Sequence, residues 1–152
     1  MSITACGSDG NTEAVATYHS QMSSLMPTNR RLADELLRLA LSINTDESDA
    51  TAVAQGWQER IVPLAIELQT GVVNIQSENP DLQVLHSQIV TCWTTRSESY
   101  AAMVQSFQGG DADAFEAAVQ AIQGSKEAEE AYFVGVNNLL SGYDLHLFQY
   151  PG

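Results

Sequence analysis

The chain has 152 residues, of which 44% are hydrophobic, and its net charge is −13, from six Lys plus Arg against nineteen Asp plus Glu. This length and apolar content predict one folded domain with its own core rather than a disordered chain. The acidity and the lack of a basic stripe argue against nucleic acid and against direct docking on anionic lipid. No apolar run approaches the ~18 residues that a transmembrane helix needs.

The N-terminus carries the most specific short motif of the chain, Ile3-Thr4-Ala5-Cys6. A branched apolar residue, two small residues and a cysteine in this order resemble the lipobox at which bacterial lipoproteins are cleaved and lipidated. The resemblance implies that Cys6 receives the lipid, so that the mature protein is extracytoplasmic and anchored to a membrane. The residues that follow are small and polar, so we assign residues 1–11 to the lipobox remnant and a flexible tether, and residues 12–152 to the folded domain. The alternative is a chance match in a cytoplasmic protein.

Four stretches place apolar residues at alternating spacings of three and four, which is typical of helices packed in a bundle. They run approximately over residues 12–43, 50–75, 80–107 and 112–140. Short polar or glycine-rich junctions separate them and supply candidate N-caps, which are Ser48 or Asp49, Asn79 and Asp111. Because short junctions place neighbouring helices antiparallel, we predict an all-α, up-down-up-down four-helix bundle.

Each apolar stripe is interrupted near its middle. Pro27 and Pro63 occur there in the first and second helices, and should kink both. Counting along antiparallel helices places Asn29, Arg96 and Glu129 at the same height. We therefore predict a buried polar cluster in which Arg96 pairs with Glu129. Such a cluster either fixes the register of the bundle or forms a pocket for a small polar ligand.

A group of histidine and methionine residues suggests an alternative function in metal binding. His19, Met22 and Met26 lie along one side of the first helix, and His86 should lie at the same end of the bundle. Imidazole and thioether ligands suit Cu(I), so an extracytoplasmic copper-binding or electron-carrying bundle is one hypothesis. In the competing interpretation Met22 and Met26 fill the core, His19 is solvated, and no cofactor is needed.

No sequence pattern points to catalysis. The chain contains no nucleotide-binding loop and no serine-histidine-aspartate spacing of a known kind. Cys92 lies on the predicted core stripe, so we expect a buried thiol rather than a nucleophile. We therefore predict a non-catalytic module of the cell envelope that binds another envelope protein or a small ligand. The same module in the cytoplasm is the alternative.

The C-terminal segment from residue 144 to residue 152 is unusually apolar for a chain end. It contains Leu145, Leu147, Phe148 and Tyr150. Leaving these side chains together in water would be unfavourable, so we expect the segment to fold back over the end of the bundle and cap its core. The alternative is a docking strip for another chain.

Overall fold

The computed structural model describes residues 8–43 and 49–148, and every regular element in these ranges is helical. The elements are α1 (Ser8–Ile43), α2 (Ala50–Gly56), a π-helical turn (Trp57–Ile61), α3 (Val62–Val73), α4 (Pro80–Gly109) and α5 (Ala112–Ser141). Together α2, the π-helical turn and α3 form one leg, so the predicted all-α, up-down-up-down bundle of four helices is confirmed. None of the described helices combines the length and the apolarity that crossing a membrane requires.

The two ends of the bundle differ. We call the end where α1 and α4 begin and α5 stops the tail end, because the C-terminal segment leaves from it. The opposite end, where α2 and α5 begin, is called the far end. The tail end holds most of the largest fully buried side chains, including Tyr18, Met22 and Tyr132. The core is therefore densest at the tail end.

The helix starts are fixed by local side-chain caps, as the sequence predicted. Asp49 accepts a hydrogen bond from the N–H of residue 51 at 2.9 Å, and Asn79 accepts one from residue 82 at 2.9 Å. Asp111 caps α5 in the same way at 3.0 Å. Before it, Gly110 ends α4 with φ of 71°, a left-handed conformation that glycine adopts without a steric penalty. The other candidate cap, Ser48, lies outside the described residues.

The two helical prolines have different consequences. Pro63 lacks the N–H that would bond the carbonyl of residue 59. The chain accommodates this loss by widening the preceding turn, in which the N–H of Val62 donates to the carbonyl of Trp57, five residues back. Pro27 instead lies within α1, which runs on through it. In place of the predicted kink, Pro63 is therefore preceded by a π-helical turn, and Trp57 is the first residue of that turn.

The start of α1 differs from the sequence prediction. The helix begins at Ser8, so residues 8–11, which were assigned to the tether, are helical. The side-chain amide of Asn11 explains why this polar stretch is part of the helix and packs against the bundle. Its nitrogen donates to the hydroxyl of Tyr143 at 2.6 Å, and its oxygen accepts from the amide of Asn79 at 2.6 Å. Cys6 and the rest of the lipobox-like motif lie outside the described residues.

The core follows the predicted stripes, except at the far end. Phe107 and Val119 continue the apolar stripes of the third and fourth predicted helices, which predicts that both are buried, but they are 44% and 41% exposed. Both side chains border cavities at this end instead of packing across the bundle. The prediction was wrong for these two residues because the helices do not close on one another there.

Residues 144–148 of the C-terminal segment fold back, but along the side of the bundle rather than over its end. After a turn at Asp144, which has φ of 56°, it returns beside α5. The side-chain amide of Asn137 holds both backbone groups of Leu147, accepting from its N–H at 2.7 Å and donating to its carbonyl at 2.9 Å. His19 of α1 donates to the carbonyl of His146 at 2.9 Å. Leu147 thus becomes buried between α1 and α5, whereas Phe148 stays 69% exposed and residue 150 lies outside the described ranges.

We expect Asn137→Ala to lower the free energy of unfolding by about 1–2 kcal/mol, because two hydrogen bonds to the tail are lost and Leu147 is released. Urea titration measures this change. The matched control is Asn138→Ala, which alters an exposed neighbour on the same helix. Equal effects of the two substitutions would show that the amide of Asn137 does not hold the tail.

Candidate functional site

The predicted polar cluster exists at the middle of the bundle. Asn29, Arg96 and Glu129 come from α1, α4 and α5, and each is at most 8% exposed. One terminal nitrogen of Arg96, Nη1, donates to Oε2 of Glu129 at 2.6 Å, and the other, Nη2, lies 3.5 Å from Oδ1 of Asn29. The structure therefore brings the three predicted residues together, with Arg96 bonded to Glu129 and Asn29 beside Arg96.

Trp93 completes this cluster and was missed by the sequence analysis. Its indole N–H donates to the same carboxylate oxygen of Glu129 at 2.5 Å. The guanidinium carbon of Arg96 lies 5.4 Å from the centroid of the Trp93 ring, within cation–π distance. The spacing of three between residues 93 and 96 places both on one face of α4, and this was the available signal. Glu129 is thus fixed by two donors, while the Nε of Arg96 has no hydrogen-bond partner in the described structure.

A groove opens above this cluster between α1 and α5. Its volume is about 790 Å³, within the usual range for ligand sites. The apolar part of its lining comes from Leu36, Trp57, Tyr100, Val119, Ile122 and Val134. The charged side chains that line it are Arg96, Lys126, Glu129 and Glu130, whose formal charges sum to zero. The groove therefore combines apolar walls with a neutral, hydrogen-bonded polar floor.

The groove occupies only part of the seam between α1 and α5. Towards the tail end, Leu147 fills the same seam, and the hydroxyls of Tyr18 and Tyr132 meet across it at 2.8 Å. Towards the far end, Leu36 faces α5 with open space between. The opening is therefore confined to the half of the seam that the tail does not cover.

A second, apolar cavity lies next to the groove at the far end. Its volume is about 340 Å³. It is lined by Ala50, Val53, Ala54, Trp57, Met103, Val104, Phe107 and Phe115. Trp57 borders both spaces, and its ring packs against Tyr100 with centroids 5.3 Å apart. This one side chain therefore stands between an apolar cavity and a groove with a polar floor.

A separate buried hydrogen-bond chain crosses the tail end of the bundle. A backbone carbonyl can only accept, so Nε2 of His86 must donate to the carbonyl of Val72 at 3.0 Å. Nδ1 of His86 then accepts from the hydroxyl of Tyr18 at 3.0 Å, and Tyr132 donates to the Tyr18 oxygen. Burial lowers the pKa of His86 below its ordinary value, raises the pKa of Tyr18 to about 12, and raises the pKa of Tyr132 as well. The three side chains of this hydrogen-bond chain, His86, Tyr18 and Tyr132, are therefore all uncharged at neutral pH.

The residues of the copper hypothesis are all engaged elsewhere. Met22 and Met26 are buried in the core, as the competing interpretation predicted. His19 is half-buried rather than solvated, and it bonds the tail. A metal could reach His86 only by displacing Tyr18 or the carbonyl at residue 72. In the part of the chain that the structure describes, no three His, Cys, Asp or Glu side chains are grouped to hold a metal ion.

Cys92 is the buried thiol that the sequence predicted. It is 4% exposed, and its Sγ donates to the carbonyl of Ser125 at 2.9 Å. Burial raises the pKa of this thiol to about 12, and the neighbouring carboxylate of Glu129 acts in the same direction. Because the thiolate is the reactive form, Cys92 is unsuited to act as a nucleophile at neutral pH.

No family model, curated protein or solved structure matches this chain. A four-helix bundle by itself does not assign a function, because the same fold carries many unrelated ones. A function for this chain must therefore follow from the chemistry of a specific site.

Proposed function

We propose that this protein is a non-catalytic binding module, and that the groove between α1 and α5 takes a small ligand with both apolar and polar parts. The observation that carries the proposal is the Arg96–Glu129 ion pair at the floor of an open groove. A buried ion pair contributes little net stability compared with apolar side chains of the same size. Polar groups placed at the base of an apolar pocket are instead typical of sites that orient a ligand.

The charges around the groove indicate which polar group suits it. The lining is neutral in sum, while the whole chain carries −13. An anionic ligand would be repelled by the field of the chain, and at the floor the guanidinium of Arg96 and the carboxylate of Glu129 already neutralise each other, so that neither needs a charged partner. We therefore expect an uncharged polar group at the floor, with the apolar part of the ligand against Trp57, Tyr100 and Ile122.

The groove can be tested with N-phenylnaphthylamine, an uncharged apolar dye whose fluorescence rises in apolar surroundings. We expect it to bind the wild-type protein. Ile122→Trp should weaken binding by more than about tenfold, because the larger side chain fills space that the dye would contact. The control is Val84→Trp, a similar change on an exposed face of α4 outside the groove, which should leave binding unchanged. Equal binding by both variants would contradict the proposal.

The site of action is a separate proposal, supported by the lipobox-like motif at residues 3–6. A lipid on Cys6 would anchor the protein to a membrane outside the cytoplasm, and an envelope protein could then be a further partner. Ser8 follows Cys6 by two residues, so the tail end of the bundle would lie nearest the membrane and the groove would be on the half of the bundle directed away from it.

Lipidation is tested by mass spectrometry of the mature N-terminus after expression of the full-length gene in a bacterium that processes lipoproteins. We expect cleavage before Cys6 and a lipid on its sulfur. A chain that keeps residues 1–5 and carries no lipid would favour the cytoplasmic alternative. That result would leave the proposal for the groove unaffected.

A further inference from the structure

The groove and the apolar cavity follow one another along α4 and α5, because both helices contribute side chains to the lining of each space. On α4, Arg96 and Tyr100 line the groove, and Met103 and Phe107 line the cavity one to two turns further on. At 1.5 Å per residue, the path from residue 96 to residue 107 is roughly 16 Å long. The lining changes along this path from an ion pair to aromatic rings and then to purely apolar side chains.

Trp57 is the one side chain that lines both spaces among the described residues. It is half-buried, and the π-helical turn before Pro63 sets its place opposite Tyr100. Turns of this kind are rare and are frequently found at functional sites. The far end, where this turn lies, is also where Phe107 and Val119 fail to close the core. The open far end and the π-helical turn thus meet at the same side chain.

We infer that the two spaces form one site for an alkyl amphiphile with an uncharged polar head. The head lies at the Arg96–Glu129 pair, and the alkyl chain runs past Trp57 into the apolar cavity. The inference rests on the proposed function and deepens it by naming the class of ligand. Three observations support it: the neutral sum of charge at the groove, the apolar lining of the cavity, and the shared wall at Trp57.

Two alcohols of different length test the inference by displacement of N-phenylnaphthylamine. Hexanol is short enough to stay in the groove, whereas decanol extends past Trp57. Because each buried methylene strengthens binding about fourfold, decanol should displace the dye at a concentration on the order of a hundredfold lower than hexanol. Decanoate and decylammonium, which carry charged heads on the same chain, should both bind more weakly than decanol.

A pair of matched variants distinguishes the cavity from general apolar adsorption. Ala54 lines the cavity and is half-buried, while Ala52 is exposed on the same helix outside it. Ala54→Phe should reduce the advantage of decanol over hexanol to less than about tenfold and leave hexanol binding unchanged, because the ring occupies the space of the chain. Ala52→Phe should change neither alcohol. Val53→Phe, at another lining position, gives the same measurement if Ala54→Phe does not fold.

The outcomes separate the inference from the function on which it rests. Hexanol and decanol displacing the dye at equal concentrations, or Ala54→Phe behaving like Ala52→Phe, would overturn the inference while leaving the groove as a binding site. Tighter binding of decanoate or decylammonium than of decanol would contradict the inference that the polar head of the ligand is uncharged. Failure of every alcohol and of the dye to bind would overturn both proposals.

Discussion

Replacing Glu129 with alanine should lower the free energy of unfolding by about 3–5 kcal/mol, the largest effect that we expect from a single polar substitution. Oε2 of Glu129 accepts from Nη1 of Arg96 and from the indole N–H of Trp93. Both donors would be left buried, and one of them carries a full charge. The loss would therefore come from two unpaired groups rather than from the removed carboxylate.

The double substitution of Arg96→Met with Glu129→Leu should recover the part of that loss that comes from the unpaired guanidinium, because apolar side chains of similar size replace a buried ion pair at little cost in stability. The indole N–H of Trp93 stays without its acceptor in the double variant, so recovery should be incomplete. A double-mutant cycle by denaturant titration measures the coupling. Glu130→Ala, at the exposed neighbouring residue, serves as the control and should change stability by less than about 0.5 kcal/mol. Small and additive effects at residues 96 and 129 would contradict a buried pair.

Tyr18→Phe should produce the second-largest effect. The hydroxyl of Tyr18 donates to His86 and accepts from Tyr132, so its removal leaves two buried groups without partners. A buried polar group without a partner costs about 1–3 kcal/mol, and we expect a loss near the upper end of that range. Met22→Leu is a matched control, because it changes a fully buried side chain of α1 without removing a hydrogen bond. Equal losses in the two variants would contradict the hydrogen-bond chain.

His86 should also make stability depend on pH. Burial lowers its pKa in the folded state below the ordinary value of 6.5, so the unfolded chain binds more protons in this range. The contribution of His86 is therefore present above pH 6.5 and is lost as the pH falls towards its folded pKa. Between about pH 7 and pH 5.5, His86→Leu should flatten the decrease in stability. An unchanged slope in His86→Leu would contradict a buried neutral imidazole.

The parts of the fold that depend on local chemistry could be predicted from the sequence. The caps at Asp49, Asn79 and Asp111 each bond an N–H two or three residues ahead, so they are readable from a short window. The contact of Arg96 with Glu129 was predictable because antiparallel helices of known length fix the height of every residue. Neither the prediction of the caps nor that of the Arg96–Glu129 contact depends on how closely the helices approach one another.

The features that depend on distant contacts could not be predicted. Asn11 belongs to a helix because of contacts with residues 79 and 143, so its polar neighbourhood resembled a tether. His86 and Leu85 fit the apolar stripe of α4 equally well by spacing, and hydrophobicity alone favours Leu85. The structure buries His86 because Tyr18 and a backbone carbonyl satisfy both of its ring nitrogens.

The groove itself was only half predicted. The sequence showed where the polar floor lies, but not that α1 and α5 leave an opening above it. That opening depends on the spacing of two helices that are far apart in the chain, and on the tail filling only one half of the seam. Periodicity reports which face of a helix is apolar, and it cannot report how closely the partner helix approaches.

The central claim, that the groove above Arg96 and Glu129 binds a ligand, is tested most directly by nuclear magnetic resonance of the ¹⁵N-labelled protein during titration with hexanol. The chain has two tryptophans, so the indole N–H signal of each can be followed separately. We expect the signals of Trp57, Trp93 and the Nε–H of Arg96 to shift together in a saturable manner, while the side-chain amide of Asn137 at the tail stays unchanged. Shifts at Asn137 without shifts at Trp57 and Trp93, or no saturable shift at all, would contradict the account.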